Sequence, residues 1–141
     1  NAIQDVLGND VASFAATSVT NNAPAPPDTT PPVLSSAAVN GNQLVLSFND
    51  ASQLDANPDR KPAVEAFAVR VAGNANAVTA TAVDAAAKTV TLTLSTPVAQ
   101  GQSVTVAYTD PTTGNDANAI QDTAGNDVAS FAATSVVNNT P

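Results

Sequence analysis

Aspartates are the residues of this sequence best suited to chemistry. Twelve acidic residues against four Lys and Arg give a net charge of −8, and the chain contains neither His nor Cys. The commonest general base and the thiol nucleophile are therefore missing, together with the usual nitrogen and sulfur ligands of transition metals. Carboxylate and amide oxygens are instead the ligands that Ca²⁺ prefers. The composition favours the binding of a hard cation over catalysis.

Several classes of function conflict with this composition. The negative charge would repel nucleic acid and anionic membrane surfaces, and no apolar run approaches the roughly 18 residues that span a bilayer. A Ser hydrolase would have neither a His nor a credible Lys partner for the serine, and a two-carboxylate glycosidase would need an aromatic sugar platform. The aromatic residues alternate as core residues would, and Tyr108 is predicted to be a packed corner residue. The full set is Phe14, Phe48, Phe67, Tyr108 and Phe131. We expect no enzymatic activity, no nucleic-acid partner and no membrane insertion.

One segment of the sequence occurs twice. Residues 1–22 (NAIQDVLGNDVASFAATSVTNN) match residues 118–139 (NAIQDTAGNDVASFAATSVVNN) at nineteen of twenty-two positions. The differences are Val6/Thr123, Leu7/Ala124 and Thr20/Val137. The offset of 117 residues is close to the size of one small domain, far longer than a solenoid repeat. We interpret residues 1–22 as the closing segment of a preceding, near-identical repeat in the same chain.

The duplication divides the chain into three parts. Residues 1–22 cannot form a stable strand alone, which leaves three possibilities: disorder, addition to a sheet edge, or exchange with residues 118–139 of a neighbouring molecule. Residues 23–32 hold five of the ten prolines and are predicted to be a semi-rigid linker. Residues 33–141 are predicted to be one complete repeat domain.

The complete repeat has the pattern of an all-β domain. Short runs alternate apolar and polar residues, and they are separated by Asn, Gly, Asp and Pro. The runs are 33–39, 42–49, 66–72, 76–83, 88–95, 102–108 and 130–137. Apart from a single possible helical turn near 62–66, no helical periodicity is present. Seven short strands predict an immunoglobulin-like antiparallel β-sandwich with two long loops, 50–65 and 109–129.

In that topology, all nine aspartates of the repeat map to the end of the sandwich where the linker enters. Crowded carboxylates are relieved by protonation, by solvent or by a divalent cation, and Ca²⁺ suits these oxygen-only loops. The candidate ligands are Asp28, Asp50, Asp55, Asp110, Asp116 and Asp127. A cation between Asp28 and either loop would stiffen the junction with the preceding domain. The competing interpretation is that Asp and Asn simply form turns, and it is favoured for Asp122 and Asn126.

Several separated motifs resemble the SwmB-type (SWM) repeat. They are DTTPPVL at 28–34, LDAN at 54–57, PAVEAFAV at 62–69, VTVAYTDP at 104–111, AIQDTAGNDVASF at 119–131 and VVNN at 136–139. The resemblance covers residues 28–139. It implies a bacterial immunoglobulin-like domain arrayed in large surface proteins and repeats-in-toxin-type adhesins, with no catalytic residues.

The resemblance also implies a location and a role. We expect an extracellular stalk or extender repeat on the bacterial cell surface, which projects a distal ligand-binding region for attachment and biofilm formation. Its partners would be the neighbouring identical repeats, and calcium would be its cofactor. The alternative is a glycan- or protein-binding module that uses the two long loops.

Overall fold

The computed structural model of the chain describes residues 1–141 and contains eight β-strands and two short 3-10 helices. The strands are β1 (Val33–Asn40), β2 (Gln43–Asn49), β3 (Phe67–Val71), β4 (Asn74–Asn76), β5 (Val78–Asp84), β6 (Thr89–Leu94), β7 (Val104–Tyr108) and β8 (Phe131–Asn138). The helices are Pro58–Arg60 and Val64–Ala66. Neither helix has the length and apolar character needed to cross a membrane.

Alternation of apolar and polar residues explains the central strands. In β2, Leu44, Leu46 and Phe48 are buried, whereas Gln43 is exposed. The strands β6 and β7 follow the same two-residue period. Because successive side chains of a strand point to opposite faces, each of these strands presents one apolar face to the core.

All eight strands belong to one hydrogen-bonded sheet, in the order β4-β3-β7-β8-β1-β2-β6-β5. The strand β8 joins the two halves of this sheet, because it pairs antiparallel with β7 and parallel with β1. Eighteen buried residues drawn from both halves form a single core. The sheet therefore curves around one core, which confirms the predicted all-β class.

The strand count and one strand direction differ from the prediction. The predicted strand 76–83 is divided, since Asn76 ends β4 and β5 begins at Val78. Residues 74 and 75, which were predicted to lie in a turn, form the rest of β4, because Ala72 and Gly73 adopt positive φ angles (48° and 84°) and turn the chain back onto β3. The Asn76 side chain holds the division: its amide donates to the Thr96 carbonyl at 2.8 Å, and its oxygen accepts from the Thr96 amide at 3.1 Å. The pairing of β1 with β8 is parallel, and a two-residue period does not reveal strand direction.

Residues 1–22 lie outside the core, and every one of them is exposed. The expectation that all five aromatic residues belong to the core is therefore wrong for Phe14, which is 75% exposed. Phe48, Phe67 and Tyr108 are buried and Phe131 is half-buried, as expected.

Candidate metal centre

The two long loops meet and hold each other in place. The backbone amide of Asp55 donates to the carbonyl of Gln121 at 2.8 Å, and the amide of Thr123 donates to the carbonyl of Gln53 at 2.9 Å. Leu54, between these contacts, is completely buried. The acidic loops 50–65 and 109–129 therefore form one continuous surface at one end of the sheet.

A tight turn at Asp122 shapes the second loop. The Asp122 carboxylate accepts hydrogen bonds from the amides of Ala124 and Asn126 and from the Asn126 side chain, each at 2.8 Å. Burial opposes ionisation of Asp122, but these bonds outweigh it and lower its pKa. The prediction that Asp122 and Asn126 form a turn is confirmed.

The first group of carboxylates, the linker group, consists of Asp28, Asp50 and Asp122. One oxygen from each lies within 4.8 Å of the others. The Asn126 side chain donates to the Asp28 carbonyl at 3.2 Å, so the same turn also contacts the linker backbone. The carboxylates of Asp28 and Asp50 each also accept a hydrogen bond from a backbone amide one or two residues further along. The linker thus meets the body of the domain at three negative side chains.

The second group, the loop group, consists of Asp110, Asp116 and Asp127, again with one oxygen of each within 4.8 Å of the others. Asp127 Oδ2 accepts from the Asp116 amide at 2.5 Å. Asp116 Oδ2 accepts from the Thr112 hydroxyl at 3.0 Å, and Asp116 Oδ1 accepts from the Asn118 amide at 3.1 Å. Backbone and side-chain bonds therefore hold the three carboxylates close together despite their like charge.

Two oxygen atoms of the loop group have no hydrogen-bond partner. They are Oδ1 of Asp110 and Oδ1 of Asp127, and both atoms are buried. Asp127 as a whole is only 9% exposed. A buried polar atom without a partner is costly, and either protonation of the carboxyl group or a bound cation would satisfy these atoms. Three carboxylates beside a hydroxyl form an oxygen-only donor set of the kind that Ca²⁺ accepts.

The environment of the loop group opposes ionisation. Burial, followed by the negative charge of Asp116, raises the pKa of Asp110. Burial also raises the pKa of Asp127, where the amide of Asp116 partly offsets it and the charges of Asp116, Asp110 and Asp122 add to it. A bound divalent cation would reverse this preference, since it stabilises the charged carboxylates.

These raised pKa values predict a pH dependence in the presence of a chelator. The folded state holds the protons of Asp110 and Asp127 more tightly than the unfolded chain does. The two protonated carboxyl groups therefore contribute their full stabilisation below the ordinary pKa of 3.8, and this stabilisation is lost as the pH rises through the raised pKa values. The substitution Asp110→Asn removes one of these charges. In EDTA, we expect the thermal midpoint of the wild type to decrease relative to that of Asp110→Asn as the pH rises from about 3 to about 7. A difference that stays constant or rises with pH would contradict the pKa assignment.

The structure places Asp55 outside both groups. Its Oδ2 lies 3.6 Å from Nη1 of Arg60, and its Oδ1 accepts from the Asn57 amide at 2.9 Å. These neighbours explain Asp55 without a cation. The structure brings five of the six predicted ligands into the two groups. It also adds Asp122, which was not among the predicted ligands. The position of Asp122 beside Asp28 depends on the contact between the two loops, and no local sequence pattern indicates it.

Tyr108 links the loop group to the core. Its ring lies between Phe67 and Phe131, with centroid distances of 5.3 and 5.7 Å, and its hydroxyl accepts from the Ile120 amide at 3.0 Å. Burial, with a further contribution from the nearby carboxylates, raises its pKa to about 12. The predicted role of a packed corner residue is confirmed, since Tyr108 is 1% exposed.

Comparison with solved structures finds a similar fold in an S-layer protein, rSbsC(31-844). The crystal structure of that protein matches with a TM-score of 0.53 and 21% sequence identity, over 78% of this chain. The match spans only 14% of the S-layer chain. A search of curated proteins finds no match.

Comparison with protein families finds a match that covers most of the complete repeat. The profile of the SWM repeat, described as "Putative flagellar system-associated repeat", matches residues 27–113. The matched range begins in the linker beside Asp28 and ends in the loop that carries Asp110, so it includes members of both carboxylate groups. The chain belongs to the SWM repeat family.

Proposed function

We propose that this chain is an extender repeat of a large bacterial surface adhesin, and that bound calcium stiffens it. The observation that carries this proposal is the attachment of the linker to the body. Asp28 lies in the linker, its carboxylate meets those of Asp50 and Asp122, and its carbonyl accepts from the Asn126 side chain. A cation at the linker group would therefore fix the direction in which the chain enters the domain.

Membership of a repeat family supports the spacer role, and so does the duplication within the chain. Near-identical copies suit a function in which reach adds up from copy to copy, whereas a specific binding site need not be copied. The fold shared with an S-layer protein is in keeping with a place outside the cell, on the bacterial surface. In such an array the partners of each repeat are the neighbouring repeats of the same chain.

The strand order supports an immunoglobulin-like interpretation of the fold. The half β1-β2-β6-β5 corresponds to strands A, B, E and D of that class, and β3, β7 and β8 correspond to C, F and G. The strand β4 then extends the second layer, and the parallel contact of β1 with β8 closes one side. Both acidic loops, which follow β2 and β7, leave this sandwich at the linker end.

The loop group is the stronger of the two calcium sites in this proposal. Its buried, unpartnered oxygens on Asp110 and Asp127 would complete their bonding with a cation. The linker group would act on the junction, since it includes a linker residue. Calcium at the first site stabilises the domain, and calcium at the second stiffens the array.

Small-angle scattering from a protein with two complete repeats tests the stiffening. The Pro-rich linker of ten residues is extended over roughly 31 Å with or without calcium, so calcium would act on the angle at which the linker enters the domain and not on its length. We expect millimolar calcium to restrict this angle and to lengthen the average particle, which is measured as a larger radius of gyration.

Two variants make this test specific to the linker group. Asp28→Asn at the junction should abolish the lengthening, because it removes the linker's carboxylate. Asp59→Asn should preserve it, because Asp59 is an exposed aspartate outside both groups. Equal dimensions of the wild type in calcium and in EDTA would refute the stiffening.

A further inference from the structure

The chain enters and leaves the complete repeat through two adjacent strands at the centre of the sheet. The linker leads directly into β1, which begins at Val33, and the chain leaves through β8, which ends at Asn138. In the strand order β4-β3-β7-β8-β1-β2-β6-β5 these two strands are neighbours, with three further strands on either side. Each is therefore held along both of its edges, β1 by β2 and β8, and β8 by β7 and β1.

The direction of these two strands decides how tension along the chain would act on the domain. They run parallel, with Ala38 opposite Val137 and Val39 opposite Asn138. The start of β1 and the end of β8 therefore lie at opposite ends of the sheet. Tension on the linker would pull β1 towards one end, while tension on the outgoing chain would pull β8 towards the other. The load would slide the strands past each other rather than open a strand pair from one end.

Such a shear load acts on many hydrogen bonds at the same time. Backbone bonds between antiparallel strands lie perpendicular to the strands, so opening a pair from its end breaks them one after another, whereas sliding breaks them together. The strand β1 pairs with β2 from Val33 to Asn40, and β8 pairs with β7 from Phe131 to Val136. Val39 and Val136 belong to the buried core, so sliding of either strand would also expose apolar side chains to water.

The direct contact between β1 and β8 is short, and the Asn138 side chain reinforces it at the exit end. Its amide donates to the carbonyls of Ala99 and Gln102 at 2.9 and 3.0 Å. Its oxygen accepts from the backbone amide of Thr140 at 3.0 Å. Asn138 therefore ties the end of β8 to the segment between β6 and β7, and it also orders the backbone that follows.

The two residues after β8 fasten the outgoing chain to β1 and to the turn between β1 and β2. The Asn139 amide donates to the Val39 carbonyl at 2.8 Å. The Thr140 hydroxyl accepts from the Gly41 amide at 3.0 Å. All of these bonds are made by the protein itself, so the exit of the chain is fastened without a metal ion.

We propose that this domain carries tension along the array, with β1 and β8 as the load-bearing pair and Asn138 as the residue that fastens its exit end. The proposal rests on the proposed role as one repeat in an array, where a pull on the distal region passes through every repeat. Calcium would set the direction in which the chain enters the domain, whereas the strand arrangement would set the force that the domain withstands. The outer strands β4 and β5 would carry little load, because neither pairs with β1 or β8.

Single-molecule force spectroscopy on the full chain in EDTA tests the direction of the load. Because the chain has no cysteine, handles can be attached at introduced cysteine pairs. Asn1→Cys with Pro141→Cys applies the load in shear, whereas Gln100→Cys with Pro141→Cys pulls apart the neighbouring ends of β7 and β8. We expect the first pair to unfold at a clearly higher force than the second at the same pulling speed. Equal forces, or a higher force for the second pair, would overturn the proposal.

Two asparagine variants test the role of Asn138 under the shear load. Asn138→Ala removes the bonds to Ala99 and Gln102, and we expect it to unfold about tenfold faster than the wild type at the same force, equivalent to about 1.4 kcal/mol. Asn74→Ala is the matched control, because this side chain also donates to a backbone carbonyl but lies in the outer strand β4. It should unfold at the wild-type rate.

An equal acceleration in both variants, or none in Asn138→Ala, would contradict the assignment of Asn138. If Asn138→Ala does not fold, the comparison of the two handle pairs still decides the proposal, since it keeps Asn138 in place. The measurements are made in EDTA and report a force, so their failure would leave the calcium-dependent stiffening standing. Equal scattering dimensions in calcium and in EDTA would likewise leave the load-bearing role standing.

Discussion

Calcium at 10 mM is expected to raise the thermal midpoint of this protein by about 5 to 10 °C. Extracellular calcium sites have dissociation constants of about 10⁻⁴ to 10⁻³ M. A ligand at 10 to 100 times its dissociation constant adds about 1.4 to 2.7 kcal/mol to stability. For a domain of this size, 1 kcal/mol shifts the midpoint by roughly 4 °C. Differential scanning calorimetry in calcium and in EDTA measures the shift.

The effect of Asp110→Asn on the thermal midpoint should have opposite signs in EDTA and in calcium. In EDTA it should melt above the wild type, because it removes a carboxylate whose ionisation is opposed by burial and by Asp116. In 10 mM calcium it should melt below the wild type, because it removes a ligand from the loop group. Asp59→Asn should follow the wild type in both conditions, since Asp59 lies outside both groups. A variant that melts below the wild type in both buffers, with an unchanged calcium shift, would exclude the loop group as a metal site.

Replacement of Tyr108 should cause the largest loss of stability among the single substitutions considered. Tyr108→Ala removes a ring that packs between Phe67 and Phe131, and aromatic-to-alanine changes in a core cost about 3 to 5 kcal/mol. Tyr108→Phe keeps the ring but leaves the buried Ile120 amide without its acceptor, which costs about 1 to 3 kcal/mol. Urea unfolding followed by far-ultraviolet circular dichroism separates the two effects, and it does not depend on the single tyrosine of the chain.

The position of Tyr108 also predicts that its substitution changes the response of the thermal midpoint to calcium. The Ile120 amide lies next to the turn that carries Asp122 and leads to Asp127, so loss of its hydrogen bond should loosen the loop group. Tyr108→Phe should therefore reduce the calcium-induced rise in midpoint as well as the stability in EDTA. An equal loss of stability in Tyr108→Ala and Tyr108→Phe would show that the hydroxyl, and not ring packing, dominates the role of this residue.

Local patterns in the sequence predicted most of the strands. The alternation at Leu44, Leu46 and Phe48 and at Val104, Val106 and Tyr108 is a property of neighbouring residues, and it places the strands correctly in the structure. The division of residues 76–83 was not predictable in this way. It depends on hydrogen bonds of Asn76 with Thr96, which lies twenty residues away.

The candidate site could likewise be predicted only in part from local sequence patterns. The residue types and the two loops were sufficient to predict that acidic residues gather where the linker enters. They were not sufficient to separate Asp55, which faces Arg60, from Asp122, which faces Asp28. That choice depends on the contact between the loops at Gln53, Leu54 and Gln121.

The two copies of the repeated segment separate what the sequence determined from what only the tertiary structure decided. The sequence alone determined the turn: Asp5 and Asp122 make the same hydrogen bonds, and Gly8 and Gly125 have φ angles of 84° and 88°. All partners of this turn lie within four residues, so an exposed and a buried copy form it equally. The tertiary structure decided burial, since Ile3 is exposed and Ile120 is not, although their neighbours are nearly identical. Burial requires a surface from residues 33–117, and in this structure one copy of the segment occupies it.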